Sequence, residues 1–368
     1  MISYGHQNID QSDIGEVIKV LKSDWLTQGP KVLEFEKALA DYCGAKYAVA
    51  VCNGTAALHL AYLAAGLKSG DEVITSPNTF VATTNMLMAL GVKPVFCDIR
   101  LDTYNIDESK IEKLITKKTK AIVPVHFAGQ PCAMDEIYRI ARKHRLLVIE
   151  DACHALGAEY KGKKIGDCQY SDMAVFSFHP VKSITTGEGG VILTNNKKYY
   201  EKLTSLRNHG IHKDKKGKNV MMELGYNYRM TDIQAVLGIS QLKKLAGFIK
   251  TRRQIVKWYE QELGKNVDII LPEEIKNNYS AWHIYVIRVK RSNDRDRLAA
   301  YLKNNGIGVN FHYPAVYGQP YYRENGFKKV KLENEDIYNN SCITLPCFPG
   351  LTQKNVTYIC RITKGFFK

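Results

Sequence analysis

One lysine stands out for the company it keeps. Ser177-Phe178-His179-Pro180-Val181-Lys182 runs straight into Ser183-Ile184-Thr185-Thr186-Gly187-Glu188-Gly189-Gly190. Ala174 to Phe178 reads as a buried strand, and the glycines before Val191-Ile192-Leu193 read as a tight return into another. Lys182 therefore falls on a short loop at a strand end. A lysine amine attacks carbonyls once it loses its proton, and burial or a nearby cation lowers its pKa enough for that. Upstream, Leu146 to Ile149 is an apolar run that ends in Glu150-Asp151-Ala152-Cys153-His154-Ala155. This places Asp151 at the carboxyl end of a parallel strand, where open α/β sheets bind ligands. An acid there can keep a pyridine nitrogen protonated, and an acid paired with a lysine is the pyridoxal phosphate arrangement. A third piece, Ala48-Val49-Ala50-Val51-Cys52 followed by Asn53-Gly54-Thr55-Ala56-Ala57-Leu58, is a strand, a turn and a helix start. Free backbone N–H groups and the positive dipole end suit a phosphate there, with the Thr55 hydroxyl as an extra donor.

Each piece alone has a plainer explanation. Lys182 could be a solvated surface lysine, Asp151 an N-cap for a following helix, and the Gly54 turn a junction that binds nothing. The three in this order argue together for one site. Trp25-Leu26-Thr27-Gln28-Gly29-Pro30, Thr79-Phe80-Val81-Ala82-Thr83, Gly225-Tyr226-Asn227-Tyr228-Arg229-Met230 and Phe311-His312-Tyr313-Pro314 extend the pattern over essentially the whole chain. With these motifs the sequence resembles the DegT family of fold-type I pyridoxal-phosphate enzymes, aminotransferases of nucleotide-linked keto-sugars. Within that family it is most similar to the 4-aminotransferase branch of pseudaminic acid biosynthesis.

The resemblance implies a role for each motif. Lys182 anchors the cofactor and moves a proton during transfer. Asp151 faces the pyridine nitrogen, Phe80 stacks on the ring, and His154 contacts the ring's phenolic oxygen. Many relatives carry Gln at the position of His154. Gly54, Thr55, Ala56 and Ser177 hold the phosphate, and Asn227 reaches the phosphate of the other subunit of a homodimer with shared active sites. Tyr4, Trp25, Leu26, Thr27, Gln28, Arg229, Phe311, His312, Tyr313 and Pro314 line the nucleotide-sugar site. Tyr4 and Tyr313 are expected to stack on a base or sugar, and Arg229 to face a diphosphate.

Composition sets outer bounds. At 368 residues with 45% hydrophobic residues, the chain can bury a large core. Nine cysteines stand singly, with no C-x-x-C pair, so neither a disulfide framework nor a metal site is expected. A reducing cytoplasm fits that usage. Met1 to Asp13 is polar and acid-bearing, unlike a signal peptide, and no apolar run of membrane-spanning length occurs. The net charge of +15 is spread along the chain without interleaved aromatics. It reads as a solvated, lysine-rich surface that attracts anionic substrates, with no nucleic-acid or membrane partner.

The elements alternate. Helices are expected at 13–24 and 31–43, then strands near 47–51, 73–75, 93–97, 121–125, 147–150, 174–178 and 190–193. Between and after these strands, helices fall near 55–66, 80–90, 108–115, 134–145 and 197–207. That alternation predicts an α/β domain whose mostly parallel seven-stranded sheet is sandwiched by helices. Residues 209–219 read as a mobile loop, and 231–263 as a long helix bent near Gly247. Beyond Pro272 the chain reads as a small α+β domain. In it, 283–289 is a half-buried strand, 294–305 a helix, 306–311 the lead into another strand, and 334–343 and 353–364 short elements. The expected division is 1–245 for the large domain with the substrate-contacting N-terminal segment, and 246–368 for the small C-terminal one.

Three functions follow from these readings. The first is transfer of an amino group from L-glutamate to C4 of a UDP-linked 2-acetamido-2,6-dideoxy-4-hexulose, through pyridoxamine phosphate. Its product is UDP-4-amino-4,6-dideoxy-N-acetyl-altrosamine; dTDP- or GDP-linked sugars are the alternative substrates. A sugar dehydratase on the same fold would replace the lysine by histidine, and Lys182 opposes it. A non-enzymatic regulatory protein would lose the lysine, the acid or the phosphate cradle, and all three are present.

Overall fold

The computed structural model describes residues 1–368. Seven strands form the central sheet: β1 (Tyr47–Val51), β2 (Glu72–Thr75), β3 (Lys93–Phe96), β4 (Thr119–Val123), β5 (Leu147–Asp151), β6 (Met173–Ser177) and β7 (Gly190–Thr194). Their order is β1-β7-β6-β5-β4-β2-β3. Only β7 runs antiparallel to its neighbours; the other paired strands are parallel. The carboxyl ends of β1, β2, β5 and β6 therefore open on one edge, which gathers Asn53–Thr55, Ser76–Phe80, Asp151 and Ser177.

Side chains leave a strand alternately to its two faces. On β6, Ala174 and Phe176 join a core with Phe35 and Leu39, whereas Met173 and Val175 join a second core with Val49 and Leu60. Both faces are covered by helices, so the strands read as continuous apolar runs. The Pro30–Cys43 helix packs on one side, and its start is capped by buried Asp232, whose Oδ1 accepts Gly29 N–H at 2.9 Å. The Gly54–Ala64 helix packs on the other.

A single unbroken helix, Asp232–Leu263, links two packing units. Its N-terminal half puts Leu245 and Ile249 into the core with Phe35, while Ile255, Tyr259 and Leu263 enter a third core with Tyr285, Ile287, Ile343 and Ile359. The expected boundary at 245/246 thus falls inside a helix shared by both units. Gly247 does not interrupt it: a Cβ there would meet open space, and the helix runs through that position. The third core lies on a small antiparallel sheet of Ile269–Ile270, Tyr285–Val289 and Cys342–Leu345.

Several local expectations are corrected. Residues 211–213 and 219–221 pair as an exposed β-hairpin, where a loop was expected, because Asp214 to Lys218 closes a turn between them. Tyr285–Val289 is buried on both faces, being covered by helices on one and by the large unit on the other. Residues 306–311 make only isolated bridges, Ile307 to Ile2 and Asn310 to Thr344, and the strand they were expected to lead into does not form. No helix is long and apolar enough to cross a membrane.

Candidate active site

The site is built from four strand ends and one loop of the small unit. Asp151, the last residue of β5, is buried, and its Oδ2 accepts the Thr83 hydroxyl at 2.6 Å. Its Oδ1 accepts Cys153 N–H at 3.2 Å. No helix follows Asp151, so the N-cap explanation is excluded. Thr83 is itself held by Thr79, four residues earlier, hydroxyl to hydroxyl at 2.7 Å.

Lys182 lies on the loop after β6, with its backbone N–H closing a turn onto His179 O at 2.9 Å. Burial lowers its amine below the ordinary lysine value, against the opposing pull of Cys153 and Asp151 nearby. A water-sized space beside it is walled by Ser183, Thr185, Gln241 and Arg252. The N-terminal segment closes this side, since a Cβ on Gly5 would touch Val181 at 3.6 Å.

The anion cradle is tightly assembled. A Cβ on Gly54 would come within 3.1 Å of Ser177 Oγ, and one on Gly190 within 2.6 Å of Asn53 O. Only glycine lets β6, β7 and the helix start approach so closely. The first amides of that helix have no intrahelical partners. Ala56 N–H is already taken, at 2.8 Å, by the N-cap side chain of Asn53. The donors left around Ser177 are thus the Gly54 and Thr55 amides and the Thr55 hydroxyl.

On the opposite wall, Phe80 is 57% exposed although the residues before it are buried. Its ring lies 6.1 Å from that of Tyr313. Tyr313 Oη is 3.0 Å from His154 Nε2, and its backbone N–H donates to Asn78 Oδ1 at 3.2 Å. His312 is buried, with Nδ1 2.8 Å from Thr344 Oγ1. Burial holds its imidazole down at about 4, helped by the Lys182 charge. Burial pushes His154 and His283 well below the usual histidine range too. Three neutral histidines therefore surround the lysine side of the site.

The remaining sequence-nominated residues sort into two groups. Tyr4 stands with the site, its ring 5.5 Å from His312 and its carbonyl accepting Cys347 N–H at 3.2 Å. Trp25, Leu26, Thr27 and Gln28 form a loop exposed on a single chain, as are Asn227 and Pro314. Arg229 is half-buried, and its guanidinium donates to Asn208 Oδ1 at 2.8 Å. Phe311 packs beside the small-unit core under the guanidinium of Arg295, 4.8 Å from the ring centroid. The sequence reading missed Thr83 as the partner of Asp151, although the Thr79–Thr83 spacing could have shown it. It also missed His283, whose strand setting read as simple packing. A basic cleft of about 620 Å³ by Lys117, Lys120, His144 and Arg145 lies at the other edge of the sheet and holds none of these groups.

Lysine, buried acid, exposed aromatic and anion cradle thus share the carboxyl edge of a doubly covered sheet. The chain belongs to the DegT/DnrJ/EryC1/StrS aminotransferase family, whose sequence pattern matches residues 7–364. It is 42% identical over 366 residues to a UDP-4-amino-4,6-dideoxy-N-acetyl-beta-L-altrosamine transaminase of Campylobacter jejuni, covering 98% of this chain and 96% of that protein. Its fold is similar to that of Helicobacter pylori PseC, an aminotransferase involved in the biosynthesis of pseudoaminic acid. The TM-score is 0.96 at 34% identity, over 100% of this chain and 99% of the other. A putative sugar aminotransferase of Streptococcus pneumoniae in its PMP form gives a TM-score of 0.95 at 30% identity, over 100% and 99% of the two chains.

Proposed function

We propose that this aminotransferase uses pyridoxal 5'-phosphate to move an amino group from L-glutamate to C4 of a UDP-linked 2-acetamido-2,6-dideoxy-4-hexulose. The observation that carries the cofactor is the convergence of Lys182, Asp151 and the Gly54–Ser177 cradle around the exposed face of Phe80. These residues fit the group: a helix start with open amides for the phosphate, an acid for the ring nitrogen, an aromatic for the ring and a lysine for the aldehyde. Bound there, the cofactor supplies the electron sink that stabilises negative charge at the substrate carbon. The similarity to the Campylobacter and Helicobacter proteins supports the choice of sugar.

The residues of the chain do the rest. Asp151, fixed by Thr83 and buried, holds its negative charge against the ring nitrogen. Lys182, its amine lowered by burial, accepts and returns a proton at the reacting carbon and so acts as general base. Ser177 and Thr55 fix the phosphate end, and Phe80 covers one ring face. Asn227 and the Trp25–Gln28 loop, open on a single chain, complete the site of a second copy in a homodimer. The excess of positive charge draws in the anionic substrates, and the singly placed cysteines suit a cytoplasmic enzyme.

A panel of keto-sugar nucleotides offered to the pyridoxamine-loaded enzyme tests the substrate. The UDP-linked 4-keto-6-deoxy-N-acetyl sugar is expected to react fastest; preference for a dTDP or GDP sugar would replace this assignment. Mixing Asn227→Ala with Lys182→Ala chains tests the dimer. Two-fold pairing leaves one intact site per mixed dimer, so activity returns to about half per site. No recovery after confirmed subunit exchange would put Asn227 in its own chain's site.

A further inference from the structure

We propose that Tyr313 is an O–H donor to an oxygen acceptor of the molecule bound in this site, aimed by His154, whose Nε2–H occupies an acceptor position on the phenol. The inference rests on the reading that the Lys182 site takes the cofactor and a nucleotide sugar. It departs from the stacking role that the sequence suggests for Tyr313.

The direction of the bond follows from the ring nitrogens. Ala128 N–H points at His154 Nδ1 at 3.3 Å, so Nδ1 is the acceptor and bears no proton. Burial, with the Lys182 charge close by, keeps the imidazole neutral. A neutral imidazole carries its one proton on the other nitrogen. Nε2–H therefore donates to Tyr313 Oη across 3.0 Å. The phenol accepts this bond and makes no other within the chain, which leaves its own hydrogen to give. Burial pushes the phenol's pKa well up, so that hydrogen stays in place.

The frame around the pair is rigid. His283 packs against His154 with tilted rings whose centroids are 4.5 Å apart, and its backbone N–H donates to the carbonyl of the same Ala128 at 2.9 Å. Arg252 holds the His283 carbonyl at 2.8 Å. Tyr313 is flanked by Phe127 and Phe80, at centroid distances of 6.2 and 6.1 Å, and Phe80 is the aromatic open to the site. The free O–H thus belongs to the same opening as Lys182. Two oxygens qualify as its acceptor: the phenolic oxygen of the cofactor, or a hydroxyl or keto oxygen of the sugar.

Equilibrium binding separates these sources. In one arm, pyridoxal phosphate is titrated into apo wild type and Tyr313→Phe, followed by its visible absorption. In the other, UDP-N-acetylglucosamine, a non-reacting probe, is titrated calorimetrically into the pyridoxamine-loaded proteins. One lost hydrogen bond predicts about tenfold weaker binding in one arm: the cofactor arm if the phenolic oxygen is the acceptor, the sugar arm if the sugar is. His154→Gln, whose amide can still donate, is expected to keep the affinity. His154→Leu should lose as much as Tyr313→Phe, with the double variant losing no more. Unchanged affinity in both arms overturns the proposal, as do additive losses in the double variant. If wild type binds neither probe, it is the functional reading that fails. Nitrogen-15 NMR of wild type provides a check independent of any variant: His154 protonated on Nδ1, or on both nitrogens at neutral pH, would also overturn the proposal.

Discussion

Glu150 and Asp151 are consecutive acids on one strand, both buried, and they serve opposite ends. Glu150 turns to the face of the sheet that carries Val148 and Phe176. There its carboxylate is closed off on both oxygens, by His126 Nε2 at 2.7 Å and by the Ser171 hydroxyl. His126 is fixed in turn by Cys132 N–H on Nδ1 at 3.0 Å. Asp151 turns to the other face and out at the sheet edge, where its partners are one hydroxyl and one long amide contact, with Lys182 near. Burial alone therefore does not mark a working acid. Each carboxylate has one partner on each oxygen, so what separates the two is position: Glu150 is paired with a histidine inside the sheet's face, whereas Asp151 ends its strand with the Lys182 amine nearby.

Changing each acid tests this contrast, with the site expected to respond far more strongly. Lys182→Ala should abolish turnover while leaving the fold and pyridoxamine phosphate binding intact. Asp151→Asn should lower kcat by roughly a hundredfold or more with a smaller change in KM, because the lost charge matters mainly in the transition state. Steady-state kinetics decide it, and a near-normal kcat would reduce Asp151 to a structural acid. Glu150→Gln should do the reverse. Its kcat should stay within a few-fold of wild type, and unfolding in urea should show a loss of about 1–3 kcal/mol from a broken buried network. A large kcat defect with unchanged stability would erase the distinction between the two acids.

The histidines give a smaller, graded effect. His312 titrates at about 4 in the folded chain against 6.5 when free. Between these values the unfolded chain holds a proton that the folded one lacks, so stability falls as pH drops from 6.5 towards 4. His154 and His283, also lowered by burial, act in the same direction. Melting temperatures across this range should decline, and His312→Asn should flatten the slope. An unchanged slope in that variant would mean that His312 is already charged in the folded protein.

Much of this was legible in the sequence, for definite reasons. The seven sheet strands are apolar runs buried on both faces, so they stand out against polar helices and loops. Lys182, Asp151 and Gly54 fall at strand ends, where chain order alone predicts convergence. The sequence was silent where contacts are long-range. Nothing in the spacing of His154, Ala128, His283 and Tyr313 places them together, since they come from four separate segments. The bond from Arg229 to Asn208, far apart in the chain, is likewise invisible in the sequence. The hairpin at 211–221 looks like a loop because its strands are only three residues long and exposed. Gly247 weakens the helix by its propensity, yet packing on both sides of it keeps the helix unbroken.

The central claim is that Lys182 is the residue to which the cofactor attaches. Borohydride reduction of the pyridoxal-phosphate-loaded protein, followed by digestion and mass spectrometry, tests it directly. The prediction is one modified peptide, spanning the Phe178–Gly190 loop, with the cofactor on Lys182 and none on the exposed lysines of the hairpin. Cofactor fixed to a different lysine, or no covalent product from a protein that has bound it, would contradict the account.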